Sequence, residues 1–100
     1  MKYEVSSQAS QDLRRIWQYS LENWSLQQAD AYIEMLLEHF EQLGDNPFLG
    51  KDRGYLIPSY RSLKAGSHLI FYRTYQNGGN VLIVRVLHQS MDSKRWISFG

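Results

Sequence analysis

Residues 60–88 read YRSLKAGSHLIFYRTYQNGGNVLIVRVLH. Apolar, β-branched and aromatic residues alternate here with polar ones at a period of two, the signature of strands. Gly66-Ser67 and Asn77-Gly78-Gly79 are tight-turn material between the alternating runs. The stretch therefore predicts three antiparallel strands in a meander: Tyr60 to Ala65, His68 to Tyr75 and Val81 to His88. On the second, His68, Ile70, Tyr72 and Thr74 face one way and Leu69, Phe71, Arg73 and Tyr75 the other. On the third, Val81, Ile83, Arg85 and Leu87 oppose Leu82, Val84, Val86 and His88. Both sheet faces are partly apolar, so both need a cover or a partner.

Upstream, residues 45–59 (DNPFLGKDRGYLIPS) hold both prolines and two glycines and read as a loop. Before it the period becomes helical. Ala29, Tyr32, Ile33, Leu36, Leu37, Phe40 and Leu43 recur at i, i+3, i+4 and i+7, which predicts a helix over about 26–43. Ser25 followed by Gln28 fits a capping box at its start, and Gly44 fits a C′ residue at its end. Ala9, Leu13, Ile16, Trp17, Leu21 and Trp24 predict an earlier helix over about 8–23, with Ser6 or Ser7 as N-cap. The short break at Asn23-Trp24-Ser25 implies an antiparallel helical hairpin. Residues 2–6 (KYEVS) alternate again and read as a first strand. The order is β-α-α-β-β-β. An α+β fold follows, with the hairpin on one face of a mainly antiparallel four-stranded sheet and a short C-terminal tail. Residues 1–100 are expected to form one domain.

The other sheet face leaves two outcomes open. Either the tail, with Met91, Trp96, Ile97 and Phe99, folds back over it, or it is a binding surface. Composition narrows the chemistry. With 43% hydrophobic and 14% aromatic residues the chain can build a core. The absence of cysteine excludes a disulfide framework, a thiolate zinc site and a cysteine nucleophile, and fits a reducing cytoplasm. No apolar run is long enough to span a membrane, and nothing after Met1 reads as a signal peptide. His39, His68 and His88 have no ligand spacing, so neither a metal nor a cofactor is expected. His39 is expected on a helix surface. No serine lies in a G-x-S-x-G turn, and the glycines fit caps and turns rather than a phosphate loop.

The charge is split. Residues 1–45 carry three basic residues against eight acids, −5, and residues 46–100 carry eight against two, +6. This suggests two faces with different partners. Arg61, Lys64, His68, Arg73, Arg85 and His88, with Tyr60, Tyr72 and Tyr75, come from neighbouring strands. Such a set can grip phosphates and stack bases, or supply the charge and proton transfer of a metal-free ribonuclease. It can equally be hydrogen-bonded scaffold.

The run Tyr60-Arg61-Ser62-Leu63-Lys64-Ala65-Gly66-Ser67-His68-Leu69-Ile70-Phe71-Tyr72-Arg73, followed by Ile83-Val84-Arg85-Val86-Leu87-His88-Gln89-Ser90-Met91-Asp92, resembles the ParE branch of the ParE/RelE toxin superfamily. Asn46-Pro47-x-x-Gly50, the Asp12-Leu13 start and the Asn23-Trp24 end of the first helix fit the same pattern. The resemblance covers about residues 2–95.

This resemblance implies the toxin of a bacterial type II toxin–antitoxin pair. Such a toxin blocks DNA gyrase and traps cleaved DNA, stalling replication. Its partner is a ParD-like antitoxin, whose C-terminal segment wraps the toxin while its N-terminal part binds operator DNA. The ParE branch implies no catalytic centre, no membrane, and nucleic acid reached only through gyrase or the antitoxin–operator complex. Candidate target-binding residues are Arg61, Lys64, Arg73, Arg85, His88, Met91, Asp92, Lys94, Arg95 and Trp96. Candidate antitoxin-binding residues are Trp17, Leu21, Trp24, Tyr32 and Leu36, in a groove suited to an amphipathic helix; core packing is the alternative role for these apolar side chains. An Arg85–Asp92 salt bridge that pins the tail is the alternative role for that pair. The RelE branch implies instead a ribosome-dependent messenger-RNA endoribonuclease, with Arg61, Arg85 and His88 as its catalytic residues. A toxin-like fold retained as a binding module is a third reading.

Overall fold

The computed structural model describes residues 2–74 and 80–97. Its elements are β1 (Tyr3–Val5), α1 (Ser7–Asn23), α2 (Leu26–Asp45), β2 (Lys51–Asp52), β3 (Tyr60–Ala65), β4 (His68–Thr74), β5 (Val81–His88) and α3 (Ser93–Trp96). Tyr75, the Asn77-Gly78-Gly79 turn and Phe99 lie outside the described residues.

The hairpin forms where the caps and stripes place it. Ser6 Oγ accepts the Ala9 N–H at 3.0 Å and Ser25 Oγ accepts the Gln28 N–H at 3.1 Å, so each helix begins on a serine that satisfies a free backbone donor. Leu36, Phe40 and Leu43 of α2 are fully buried against Ile70, Tyr72, Val81 and Ile83 of the sheet, and Ala29 is buried too. Gly44 does not end α2, which runs on to Asp45. A Cβ at Gly44 would stand 3.0 Å from Lys2 Cβ, so glycine serves the close approach of α2 to the chain just before β1.

The sheet is mixed and has five strands, in the order β1-β5-β4-β3-β2. The four-strand expectation missed β2, a two-residue strand inside the 45–59 loop, too short to carry a period. β1 pairs in parallel with β5 (Tyr3 with Val81, Val5 with Ile83); the other pairs are antiparallel. The Asn46–Gly50 stretch closes on a buried tyrosine. Tyr72 Oη donates to the Pro47 carbonyl at 2.9 Å and accepts the Gly50 N–H at 2.8 Å. A Cβ at Gly50 would stand 2.5 Å from that oxygen, which is why the position is glycine.

Simple alternation fails on β5. Across the β4–β5 ladder Phe71 pairs with Arg85 but Tyr72 pairs with Ile83, so Val84 is skipped. This bulge resets the faces: Val81, Ile83 and Val86 all join the helix-side core, while Leu87 turns to the other side. On that second side Phe71, Leu87 and Ile97 form a smaller buried cluster with Ile57, Tyr60, Leu69 and Met91. The tail does fold back, and the loop before β3 helps it.

Candidate functional site

β1 ends at Val5, so among the described residues no strand lies beside the outer edge of β5 beyond Ile83. The start of α1 takes over. The Ser6 N–H donates to the Ile83 carbonyl at 2.9 Å and the Ser6 hydroxyl to the Val84 carbonyl at 2.7 Å. One turn into α1, the buried Asp12 carboxylate accepts the Val86 N–H at 2.9 Å, Arg85 Nε at 2.8 Å and Arg85 Nη2 at 2.9 Å. That two-point pairing holds the guanidinium above its usual pKa, against the opposing effect of its burial. Arg85 Nη1 also donates to the Trp96 carbonyl, so one side chain ties α1, β5 and α3 together. The carboxylate beside Arg85 is thus Asp12, and the tail is held through a backbone oxygen.

Past this joint the hairpin and the β5 edge diverge and leave a groove of about 1290 Å³. α1 lines it with Asp12, Arg15, Ile16 and Tyr19; α2 with Ala31, Tyr32 and Met35; β5 with Val86, Leu87 and His88; and the tail with Met91 and Trp96. At its floor Tyr32 Oη accepts the Ser67 N–H at 3.0 Å and shares a hydrogen bond with His68 Nδ1. His68 and His88 are direct cross-strand partners, with ring centroids 5.3 Å apart and nearly perpendicular. Burial, and then the neighbouring His88, push the His68 pKa down from 6.5 to about 4. His88 Nδ1 accepts the Ser90 N–H at 3.1 Å. The groove therefore has apolar walls with Arg15 and two imidazoles among them, and its one carboxylate is already taken. The exposed acids Glu22, Glu34, Glu38 and Glu41 do not line it.

The sequence-derived candidates divide accordingly. Of the five antitoxin candidates, Trp24 and Tyr32 line the groove, and Trp24 is 69% exposed. Trp17 is half-buried and donates from Nε1 to Asp30 Oδ1 at 2.9 Å; Leu21 is half-buried outside the groove. Leu36 is 0% exposed and belongs to the core, with no surface to offer a partner. Of the target candidates, Arg85, His88, Met91 and Trp96 line the groove, Trp96 with 45% exposure. Arg85 is buried in its ion pair. Arg61 is half-buried, donates to the Gly50 carbonyl at 2.8 Å and lies 5.0 Å over the Phe48 ring. Lys64, Arg73, Asp92 and Arg95 are exposed elsewhere, and Lys94 lies on α3.

Arg61, Arg85 and His88 do not converge on one centre. Arg61 is in register with Tyr72 and so with Ile83. His88 lies opposite His68, four residues from Tyr72 along the ladder, roughly 14 Å at strand spacing. His39, expected at the surface, is half-buried and donates from Nδ1 to the Met35 carbonyl at 2.8 Å.

Sequence reasoning missed Asp12, Arg15, Ile16, Tyr19, Ala31 and Met35 as groove residues. Their signal was present: 12, 15, 16 and 19 share one α1 face, and 28, 31, 32 and 35 one α2 face. Each face overlaps the edge of an apolar stripe, with Ile16 and Tyr32 belonging to both, so residue type alone does not separate groove from core.

Comparison with known proteins agrees with this architecture. Residues 3–93 match the family model for the ParE toxin of the type II toxin–antitoxin system parDE. The chain is 39% identical over 92 residues to Toxin ParE1 of Caulobacter vibrioides, covering 92% of this chain and 93% of that protein. It is 37% identical over 94 residues to Toxin ParE1 of Mycobacterium tuberculosis, covering 94% and 95%. A chain from the chromosomal ParDE system of P. aeruginosa superimposes with a TM-score of 0.75 at 18% identity, over 88% of this chain and 95% of that one, which speaks for the fold. This chain belongs to the ParE toxin family of type II toxin–antitoxin systems.

Proposed function

We propose that this toxin acts by poisoning DNA gyrase, and that a ParD-like antitoxin silences it by laying an amphipathic segment into the groove between hairpin and sheet. The groove carries the proposal. It is long, open and apolar, and rigid elements frame it on three sides, as a docking site for a partner helix needs. Trp24, Tyr32 and Trp96 are the aromatic anchors on which binding energy concentrates. The likeness to a chain from a ParDE system supports the choice of partner.

The same walls include His88, Met91 and Trp96, candidates for target contact. An antitoxin filling the groove covers them, so neutralisation needs no change of shape. The separation of Arg61 from His88, and the engagement of Arg85 by Asp12, favour a toxin that works by binding over one that cuts RNA with these three residues.

The test incubates the purified chain with gyrase, ATP and supercoiled plasmid, strips protein with detergent and protease, and looks for linear DNA. Linear DNA that vanishes when antitoxin is added first is the expected result. Normal supercoiling with unbroken plasmid refutes gyrase poisoning. Linear DNA that persists with a bound antitoxin refutes neutralisation through the groove.

A further inference from the structure

Among the described residues, the sheet face turned away from the hairpin is covered around Phe71 and Leu87, by Ile57, Met91 and Ile97. Beside that cover the face carries cations, and the strand register sets them in a row. Lys51 stands opposite Ser62, and Lys64 lies two residues further along β3. The Arg53 N–H donates to the Tyr60 carbonyl, which puts Arg53 two residues the other way. Ser62 pairs with Phe71 and Lys64 with Leu69, so the row shares the tail-side face. Measured along the strand direction its steps are roughly 6.8 Å, two residues of a strand, the step from Lys51 to Lys64 also crossing from β2 to β3. An extended single strand of nucleic acid repeats its phosphates at a comparable interval.

A second hollow, of about 270 Å³, adjoins the row, lined among others by Arg53, Tyr55, Leu69, Phe71 and Asp92. The Arg53 guanidinium is held in place, donating from Nε to Ser62 Oγ and from Nη1 to Tyr55 Oη, both at 2.8 Å. Tyr55 is 72% exposed, with no packing role that accounts for an aromatic there. Apolar floor, exposed ring and fixed donor together suit a flat heterocycle with hydrogen-bonding edges. Six exposed acids, Glu22, Asp30, Glu34, Glu38, Glu41 and Asp45, lie on the helical hairpin against Glu4, Asp52 and Asp92 on the sheet and tail, so the charge distribution favours the sheet side for a polyanion.

We infer that this face binds single-stranded nucleic acid, with Lys51, Arg53 and Lys64 along successive phosphates and one base lodged against Tyr55 and Leu69 in the hollow. A duplex keeps its bases stacked inside and gives the hollow nothing to hold. An acidic protein surface matches the cations but leaves the hollow and the exposed ring without a role. The inference is independent of both the groove and the gyrase reading.

The experiment is fluorescence anisotropy of the full chain with a labelled single-stranded DNA oligonucleotide, an RNA of the same sequence, the blunt duplex and polyglutamate, across a salt series. Single strands bind more tightly than duplex or polyglutamate, and log affinity falls against log salt with a slope of about −2 for three phosphates. Lys51→Glu combined with Lys64→Glu, both exposed and neutral for folding by thermal melt, weakens binding at least about tenfold. Tyr55→Ala weakens it at least about fivefold and leaves the slope unchanged. The DNA and RNA arms identify the sugar preferred, and either one with these signatures supports the site. Duplex or polyglutamate binding as tightly as the single strand, or charge reversal without effect in a folded variant, overturns it.

Discussion

Replacing Asp12 with alanine removes the one carboxylate at the joint of α1, β5 and α3. Three hydrogen bonds are lost: two from Arg85 and one from the Val86 backbone. The side chains of both partners are under a tenth exposed. Removing one member of a buried pair costs about 3–5 kcal/mol, because the other charge stays buried alone. The Val86 N–H loses its acceptor as well, at about 1–3 kcal/mol. The groove opens beside Arg85, so water enters and offsets part of both. A net loss of about 3–4 kcal/mol is expected, a fall of roughly 15–25 °C in melting temperature for a chain of this length. Urea titration followed by tryptophan fluorescence measures it, and Trp96, whose carbonyl Arg85 holds, reports tail release directly. Asp12→Asn keeps an acceptor for Val86 and should cost less. The double variant Asp12→Ala/Arg85→Met removes both charges and should recover much of the loss. A single variant within about 1 kcal/mol of wild type, or a double variant no better than the single, refutes the buried pair as the joint.

Other perturbations test other parts of the structure. His68 is held neutral in the fold, with its pKa down near 4 against 6.5 when unfolded. Its contribution to stability is therefore complete above about pH 6.5 and drains away as the pH falls toward 4, since only the unfolded chain readily takes the proton. The half-buried ring is screened by solvent, so about 1–2 kcal/mol is expected, read as a flatter stability–pH curve in His68→Gln; identical slopes would refute it. Gly50→Ala drives a methyl group into Tyr72 Oη and the Ser62 carbonyl, and denaturant melts should show a loss of about 1–3 kcal/mol. Trp24→Ala should weaken antitoxin binding at least about tenfold in calorimetry, while Leu21→Ala changes it little; equal effects would move the partner out of the groove.

How much could be read in advance followed from the range of the signal. The helical stripes and the alternation of 60–88 are local, and they placed α1, α2 and β3 to β5 within about two residues. β2 has too few residues for a period and exists because Lys51 and Asp52 lie beside Ser62 and Arg61. The bulge at Val84 has no residue signature, yet it moves Val86 to the helix side and the imidazole of His88 to the groove. Asp12 and Arg85 are 73 positions apart, and nothing in the spacing of either residue names the other. The groove was half legible for the same reason. Trp24 and Tyr32 stand out by residue type, whereas Leu36 fits the stripe equally well and turns out to be core. Arg85 stood out by its charge and spends that charge inside the fold. The tail was legible only as a pair of options, and the burial of Ile97 shows that it folds back over part of that face, so a truncation before Met91 would remove core as well as surface. Point changes at Arg95 or Trp96 are the cleaner probes.

The parallel pairing of β1 with β5 sets an order of events at the ribosome. The first 45 residues emerge with two apolar helical stripes and no sheet to cover them. β1 must wait for a strand that begins at Val81, and Ser6 for the Val84 carbonyl 78 positions away. The groove has walls from both ends of this delay, α1 and α2 early and β5 late. It comes into being only when synthesis has passed His88. A partner that reads the groove thus ignores nascent fragments and recognises the toxin only once the chain has become dangerous.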